Sequence, residues 1–138
     1  MVISYSWTDL GWTSNGWCEV HPVEIGAELL GQSILRALHS SARKIPTPIR
    51  GDRPFLPVLE QVGCKSYKQF TKGTFSLGIT ADGQMWTATP DVNRTPAGFV
   101  PVAKHAESGV GVTEVGLGEV AYRGLMVSRR LTEVASHE

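Results

Sequence analysis

Apolar side chains recur at helical spacing in two stretches of the chain. The stripe in residues 23–42 consists of Ile25, Leu29, Ile34 and Leu38, widened by Leu30 and Leu35. The stripe in residues 117–134 consists of Leu117, Ala121, Leu125, Val127 and Leu131. Because apolar residues three or four positions apart share one face of a helix, both stretches are predicted to be amphipathic helices that cover a core.

An alternating pattern replaces the helical one in the middle of the chain. Thr74–Ala81 has an apolar residue at every second position, and Asp82-Gly83, a dipeptide typical of two-residue hairpin turns, follows it. Gln84–Thr89 is predicted to be the returning strand. In this register Ile79 faces Trp86, so one apolar face of the hairpin is expected to be buried. The members of that face are Phe75, Leu77, Ile79, Trp86 and Ala88.

Shorter elements are predicted around the hairpin. Residues 45–56 form an extended connector, since half of the chain's eight prolines lie in or next to it and prolines interrupt helices and sheets. Phe55–Val62 is predicted to be a short helix and Ser66–Lys72 a helical turn. Gly98–Val102 is predicted to be a third strand, and residues 105–111 a loop that leads to a small strand at 110–112.

The N-terminal segment, residues 1–21, is rich in tryptophan. Val2–Trp7 alternates loosely and is predicted to be an edge strand, with a loop over Thr8–Gly16. Two interpretations of the tryptophans remain open. They pack onto the core as a lid, or they form an aromatic patch that faces a partner, because Trp is enriched at interface hot spots.

The two predicted helices share a sequence pattern at an offset of 87 positions. Residues 30–43 and 117–130 have identical residues at six of fourteen aligned positions, including a helical glycine, Gly31 and Gly118. A glycine inside a helix costs about 1 kcal/mol relative to alanine, so its recurrence indicates a packing requirement. We therefore expect two helices packed alike against one sheet, with both glycines at close approaches to that sheet.

Composition limits the class of protein. The chain has 138 residues, of which 41% are hydrophobic and 19% charged, which predicts one folded domain. It has no stretch near the roughly 20 apolar residues of a membrane helix. Met1–Leu10 lacks the basic start of a signal peptide, so we expect a cytoplasmic protein and reduced thiols at Cys18 and Cys64.

The formal net charge of zero hides an uneven distribution along the chain. Residues 1–35 carry −4, residues 36–72 carry +6 and residues 73–138 carry −2. Such segments can form opposed faces, or the fold can interleave them.

The sequence contains no pattern typical of a catalytic site. Nucleophile elbows, zinc-protease motifs and phosphate-binding loops are absent. His105 and Glu107 lie in one predicted loop and are a candidate acid–base pair. Lys65, Lys68 and Lys72 alternate with aromatic residues, which is found both in nucleic-acid sites and in ordinary amphipathic turns. No metal or cofactor site is expected.

Residues Gly63–Leu125 resemble the immunity proteins of bacterial contact-dependent growth inhibition systems. The similar features are Ser66-Tyr67-Lys68-Gln69-Phe70-Thr71-Lys72, the hairpin Phe75–Trp86, Thr89-Pro90, Gly98-Phe99-Val100-Pro101, Leu117-Gly118-Glu119 and Ser128. The helix Ile25–Arg43 is similar to that family's other helix, while residues 1–21 match nothing in it. The resemblance implies a single α+β domain with a central antiparallel β-sheet flanked by two similar amphipathic helices. It also implies a non-enzymatic protein that neutralises a toxin domain, often a nuclease.

Tight inhibition requires buried aromatic anchors and complementary charge. We therefore expect Asp9, Trp12, Trp17 and Glu19 to contact the toxin domain, with no direct contact to nucleic acid, membrane or a small-molecule substrate. Two alternatives remain: a small ligand-binding or enzymatic α+β domain, and a nucleic-acid-binding module that uses the basic segment 36–72.

Overall fold

The computed structural model describes the whole chain, from Met1 to Glu138. It is an α+β fold in which the helices pack against antiparallel sheets. The strands are β1 (Val2–Thr8), β2 (Gly11–Glu19), β3 (Leu77–Asp82), β4 (Met85–Asn93), β5 (Phe99–Pro101) and β6 (Glu107–Val110). The α-helices are α1 (Ala27–Ser41), α2 (Leu56–Val62), α3 (Tyr67–Thr71) and α4 (Glu114–Ala135). None of them combines the length and apolar composition that crossing a membrane requires.

The N-terminal segment is a β-hairpin, so the loop predicted over Thr8–Gly16 is wrong. Strands β1 and β2 pair antiparallel, with Thr8 opposite Gly11 and Asp9-Leu10 as the turn. The alternation of β2 is hidden because the register shifts at a bulge that contains Gly16, whose φ of 88° favours glycine. The bulge leaves Asn15, Gly16 and Trp17 opposite the single residue Ser4, which interrupts the regular pairing that sequence patterns rely on.

Strand β4 is the centre of the second sheet. Strand β3 pairs with one edge of it, and the other edge is shared by β6, next to Met85–Ala88, and β5, next to Asp91–Asn93. The predicted hairpin is present, but its register differs by two residues. Asp82 pairs with Met85, so the turn residues are Gly83 and Gln84. Gly83 has a φ of 61°, as the first turn residue of a type II′ hairpin requires.

The face predicted from this hairpin is only partly buried. A shift of two residues keeps every side chain on its own face, and Ala88 is buried while Leu77 and Ile79 pack against the core. Phe75 lies before β3 and is exposed, and Trp86 is only half-buried because it lies at the open end of the sheet, over Gly109 of β6.

The two long helices pack against each other rather than side by side on one sheet. An added Cβ on Gly31 of α1 would stand 1.7 Å from the carbonyl oxygen of Glu114. An added Cβ on Gly118 of α4 would stand 1.8 Å from the carbonyl oxygen of Ala27. The close approaches predicted for both glycines are therefore confirmed, but they are to the partner helix and not to a sheet. Helix α1 covers the β1–β2 hairpin and α4 covers β4 and β3.

The fold contains the same strand–strand–helix unit twice. In the first unit Val2 of β1 pairs with Glu19 of β2, and α1 follows. In the second unit Ala88 of β4 pairs with Glu107 of β6, and α4 follows. Gly31 contacts the carbonyl of Glu114, which is four residues before Gly118, and Gly118 contacts the carbonyl of Ala27, which is four residues before Gly31. Because the two contacts are reciprocal, the two units are related by a local two-fold arrangement.

Candidate partner-binding surface

The turn of the first hairpin presents three exposed apolar side chains, which we call the aromatic tip: Trp7, Leu10 and Trp12. Trp7 and Trp12 are cross-strand neighbours whose rings meet edge to face, with centroids 5.1 Å apart. Their exposed fractions are 49% and 56%, and that of Leu10 is 87%. The tryptophans at the tip are therefore not a lid on the core.

Hydrogen bonds hold the aromatic tip in one shape. The Thr8 hydroxyl donates to the Gly11 carbonyl at 2.8 Å and accepts from the Leu10 amide at 3.1 Å. The connector braces the same turn, because the Ile45 amide donates to the Trp7 carbonyl at 3.0 Å and the Asp9 amide donates to the Thr47 hydroxyl at 3.3 Å. Side chains on such a braced turn lose little freedom when they bind a partner.

Asp9 lies in the turn itself, beside the aromatic tip. Its carboxylate forms an ion pair with Lys44, and both side chains are largely exposed. An exposed pair of this kind contributes at most about 1 kcal/mol, so a partner can replace Lys44 at modest cost. Asp9 and Trp12 are thus brought together as expected.

Trp17 and Glu19 lie elsewhere. Trp12 shares a face of the hairpin with Trp7, whereas Trp17 lines a groove together with Leu35 and His39 of α1. Glu19 also faces α1, across from Val2. The four residues expected to form one surface are therefore divided between the tip and the α1 side of the hairpin, because Trp17 and Glu19 are an odd number of positions from Trp12 and successive side chains of a strand point to opposite faces.

Glu19 is occupied by contacts within the chain. Its carboxylate accepts two hydrogen bonds from Arg36, at 2.9 and 2.7 Å, and one from the Ser33 hydroxyl at 2.7 Å. The His21 ring is 3.1 Å away. The hydrogen bond from Arg36 is the main cause that lowers the pKa of Glu19 to about 2. The Glu19–Arg36 ion pair links β2 to α1, and we call it the clamp.

The charges of the first two segments are interleaved in space. Asp9 pairs with Lys44 and Glu19 pairs with Arg36, so both acids of the hairpin meet bases of segment 36–72. The alternative of two opposed charged faces does not hold at these positions.

The other candidate chemical groups are dispersed or are held within the fold. Glu107 forms its hydrogen bonds with Arg123, at 2.9 and 3.3 Å, and none with His105. Cys18 and Cys64 are free thiols, and no cluster of three metal-ligating side chains occurs. Tyr67 and Phe70 pack edge to face against Phe55, which leaves Lys65, Lys68 and Lys72 exposed around them.

Asp91 of β4 lies near Tyr5 of β1 and Tyr67 of α3. Burial raises the pKa of Asp91, which accepts a hydrogen bond from the Ser76 hydroxyl at 2.6 Å. Burial also raises the pKa of Tyr5 to about 12, with Tyr67 and Asp91 as further causes. These groups share a junction of β1, α3 and β4, and none of the tyrosine hydroxyls there bonds to the carboxylate.

Sequence reasoning missed Trp7 and Leu10 as members of the surface. Trp7 and Trp12 are spaced symmetrically about Asp9-Leu10, which is the spacing of facing residues in a hairpin with a two-residue turn. That symmetry is a signal in the sequence, but neither Asp-Leu nor the irregular pattern of β2 is typical of a hairpin.

The comparisons with known proteins concern the fold alone. No family model and no curated protein matches the chain. A solved structure, titled "Protein of Unknown Function NMB0488 from Neisseria meningitidis", is similar with a TM-score of 0.69 at 12% sequence identity. The similarity covers 92% of this chain and 87% of that one, so the arrangement of helices and sheets is shared over nearly the whole length.

Proposed function

We propose that this chain is a non-enzymatic immunity protein that binds and neutralises a toxin domain in the cytoplasm, with the aromatic tip as its anchor. The observation that carries the proposal is the pair of half-exposed tryptophans on a braced turn. Interfaces of high affinity are centred on a few aromatic side chains that enter pockets of the partner, and a turn held by internal hydrogen bonds is suited to that task.

Asp9 gives the aromatic tip a negative charge. If the toxin domain is a nuclease, its substrate site is basic, and a carboxylate next to two indole rings can take the place of a phosphate beside a base. The resemblance of Gly63–Leu125 to immunity proteins supports the same class of function.

The proposal is tested by co-expression with a toxin domain. An immunity gene is expected directly downstream of a gene for a large exported toxin, so the C-terminal domain of the upstream product is the domain to use. Growth should be restored by the wild-type chain and lost with the Trp7→Ala, Trp12→Ala double variant. Val134→Ala, a change at an exposed apolar residue near the end of α4, is the matched control and should protect fully.

Two results would contradict the proposal. One is protection by the double variant that equals the wild type, which would remove the aromatic tip from the interface. The other is turnover of a substrate by the purified chain without a partner, which would favour the enzymatic alternative.

A further inference from the structure

Each of the two structural units carries a groove along the outer side of its long helix. The groove beside α1 has a volume of about 1000 Å³, and the groove beside α4 has a volume of about 660 Å³. Volumes of roughly 300–1,000 Å³ are typical of sites for small ligands or a few peptide side chains. Neither groove includes a residue of the aromatic tip.

The two grooves are built from equivalent positions of the repeat. Leu35, Arg36 and Arg43 line the first, and Tyr122, Arg123 and Arg130 line the second, each 87 positions later. Strand β2 contributes Trp17 to the first groove, and the 3-10 turn Ala103–His105 contributes His105 to the second. Both grooves therefore combine an apolar or aromatic wall with two guanidinium groups.

One guanidinium in each groove is already neutralised. Arg36 binds both carboxylate oxygens of Glu19, and Arg123 binds both carboxylate oxygens of Glu107. This bidentate geometry is repeated in the two units, and it fixes each helix to its own sheet. The first arginine of each groove thus has a structural task.

The second guanidinium has no such task. Neither Arg43 nor Arg130 takes part in an ion pair or a side-chain hydrogen bond, and both are exposed. The other identities of the repeat have contacts inside the protein or are at least half-buried. The glycines meet the partner helix, and the serines donate to backbone carbonyls. Leu30, Leu38 and Leu117 belong to the core or pack against it, and Leu125 is partly buried. Arg43 and Arg130 are the identical pair for which the fold provides no partner.

We propose that the two grooves are equivalent binding sites, each for a segment of a protein partner that presents a carboxylate next to an apolar side chain. The free guanidinium receives the carboxylate in two parallel hydrogen bonds, and the wall formed by Leu35 or Tyr122 receives the apolar side chain. This inference does not depend on toxin neutralisation, because it uses neither the aromatic tip nor Asp9.

Charge favours a peptide carboxylate over a nucleic acid. A nucleic acid follows a row of cations along its backbone, whereas each groove offers one free arginine. The carboxylate of Glu107 lines the second groove and Glu114 lines the first, so neither groove offers the continuous row of cations that a phosphate backbone needs. A single carboxylate needs only the one guanidinium that is free.

The test uses the tetrapeptide acetyl-Leu-Asp-Leu-Gly-amide and its asparagine twin, which has the same shape without the charge. Titration followed by amide NMR should give saturable shifts along residues 35–43 and 122–130 with the aspartate peptide only. Arg43→Gln should weaken binding at the first groove by about tenfold and leave the second unchanged, and Arg130→Gln should do the converse.

Arg129→Gln is the matched control, because this substitution removes the same charge from α4. Arg129 itself pairs with Glu133 at 2.8 Å and does not line the groove. It should leave both sites unchanged. The proposal is overturned if the two peptides bind equally, if neither gives saturable shifts, or if the control weakens binding as much as Arg130→Gln. It is also overturned if single-stranded DNA competes through the same two arginines more strongly than the aspartate peptide. If this test fails, the proposal that the aromatic tip binds a toxin domain still stands. If the co-expression test fails, the proposal of two carboxylate-binding grooves still stands.

Discussion

The Cα of Gly31 lies against the carbonyl group of Glu114, so close that an added Cβ would stand 1.7 Å from its oxygen and 2.5 Å from its carbon. No side-chain rotation can relieve this contact, because both partners are backbone. The same relationship holds between Gly118 and Ala27. The two helices therefore meet backbone to backbone, and this contact sets the distance between the two units.

Gly31→Ala and Gly118→Ala should each destabilise the protein. Alanine normally stabilises a helix by about 1 kcal/mol relative to glycine, whereas forcing the two backbones apart should cost about 3 kcal/mol, at the upper end of overpacking effects. The free energy of unfolding in urea measures the result. Glu119→Ala, at the exposed position next to Gly118, is the control and should change stability by less than about 0.5 kcal/mol.

The double variant provides a sharper test of the reciprocal contact. Once one alanine has separated the helices, the second causes a smaller clash. The double variant should therefore lose less stability than the sum of the losses in the two single variants. Strict additivity, or an increase in stability for either single variant, would contradict a shared close approach.

Ser128 and Ser41 occupy the same position of the repeat but should differ in their effect on stability. The fully buried Ser128 hydroxyl donates to the Asp91 carbonyl at 2.6 Å and accepts from the Ser76 amide at 3.0 Å. Ser41 bonds only to the Leu38 carbonyl of its own helix. Ser128→Ala should cost about 2 kcal/mol, because the buried Asp91 carbonyl and the partly buried Ser76 amide lose their partner. Ser41→Ala serves as the control, and equal effects of the two changes would refute the distinction.

Trp86 and Gly109 should behave as a coupled pair. An added Cβ on Gly109 would stand 2.7 Å from the indole ring, so Gly109→Ala must displace the ring and should cost about 1–3 kcal/mol. In a Trp86→Ala background the same change meets no ring and should be close to neutral. A double-mutant cycle measured by thermal unfolding gives the coupling energy. A coupling energy of zero would mean that the indole does not cover Gly109.

Acid should weaken the clamp between Glu19 and Arg36. The pKa of Glu19 is lowered from 4.5 to about 2, chiefly by the hydrogen bond from Arg36, so its ionised form stabilises the folded chain. That contribution is complete above pH 4.5 and is lost as the pH falls towards 2.

Glu19→Gln should therefore lower stability at pH 7, and its difference from the wild type should shrink as the pH falls through this window. Urea unfolding across the pH range measures both effects. Glu24→Gln is the control, since Glu24 forms no ion pair, and its difference from the wild type should not follow the same course. A Glu19→Gln effect that is constant from pH 7 to pH 2 would show that charge is not its origin.

The sequence by itself determined the elements whose signals are local. The period of the long helices, the proline at the start of α2 and Gly63 at its end all act within one or two turns, so the helices occur near the predicted bounds. Helix α1 begins at Ala27 rather than at residue 23 because Gly26 has a φ of 86°, outside the helical region. Gly31 and Gly118 also indicated, from the sequence alone, that each helix makes a close contact with a neighbour.

Only the tertiary structure decided which elements contact each other. A glycine indicates that a neighbour is close but not which neighbour. The close contacts of Gly31 and Gly118 were therefore predicted to be with a sheet, whereas they are between the two helices. In the second hairpin the turn lies one residue later than predicted, and the pairing register differs by two residues. This difference leaves every side chain on its own face, so the apolar pattern cannot distinguish the two registers. Trp12 and Trp17 lie on opposite faces of the hairpin because they are five positions apart in a strand, whereas a loop was predicted over Thr8–Gly16. Alternation along one strand is a short-range property, whereas the surface on which a side chain lies depends on the strand that pairs with it and the helix that covers it.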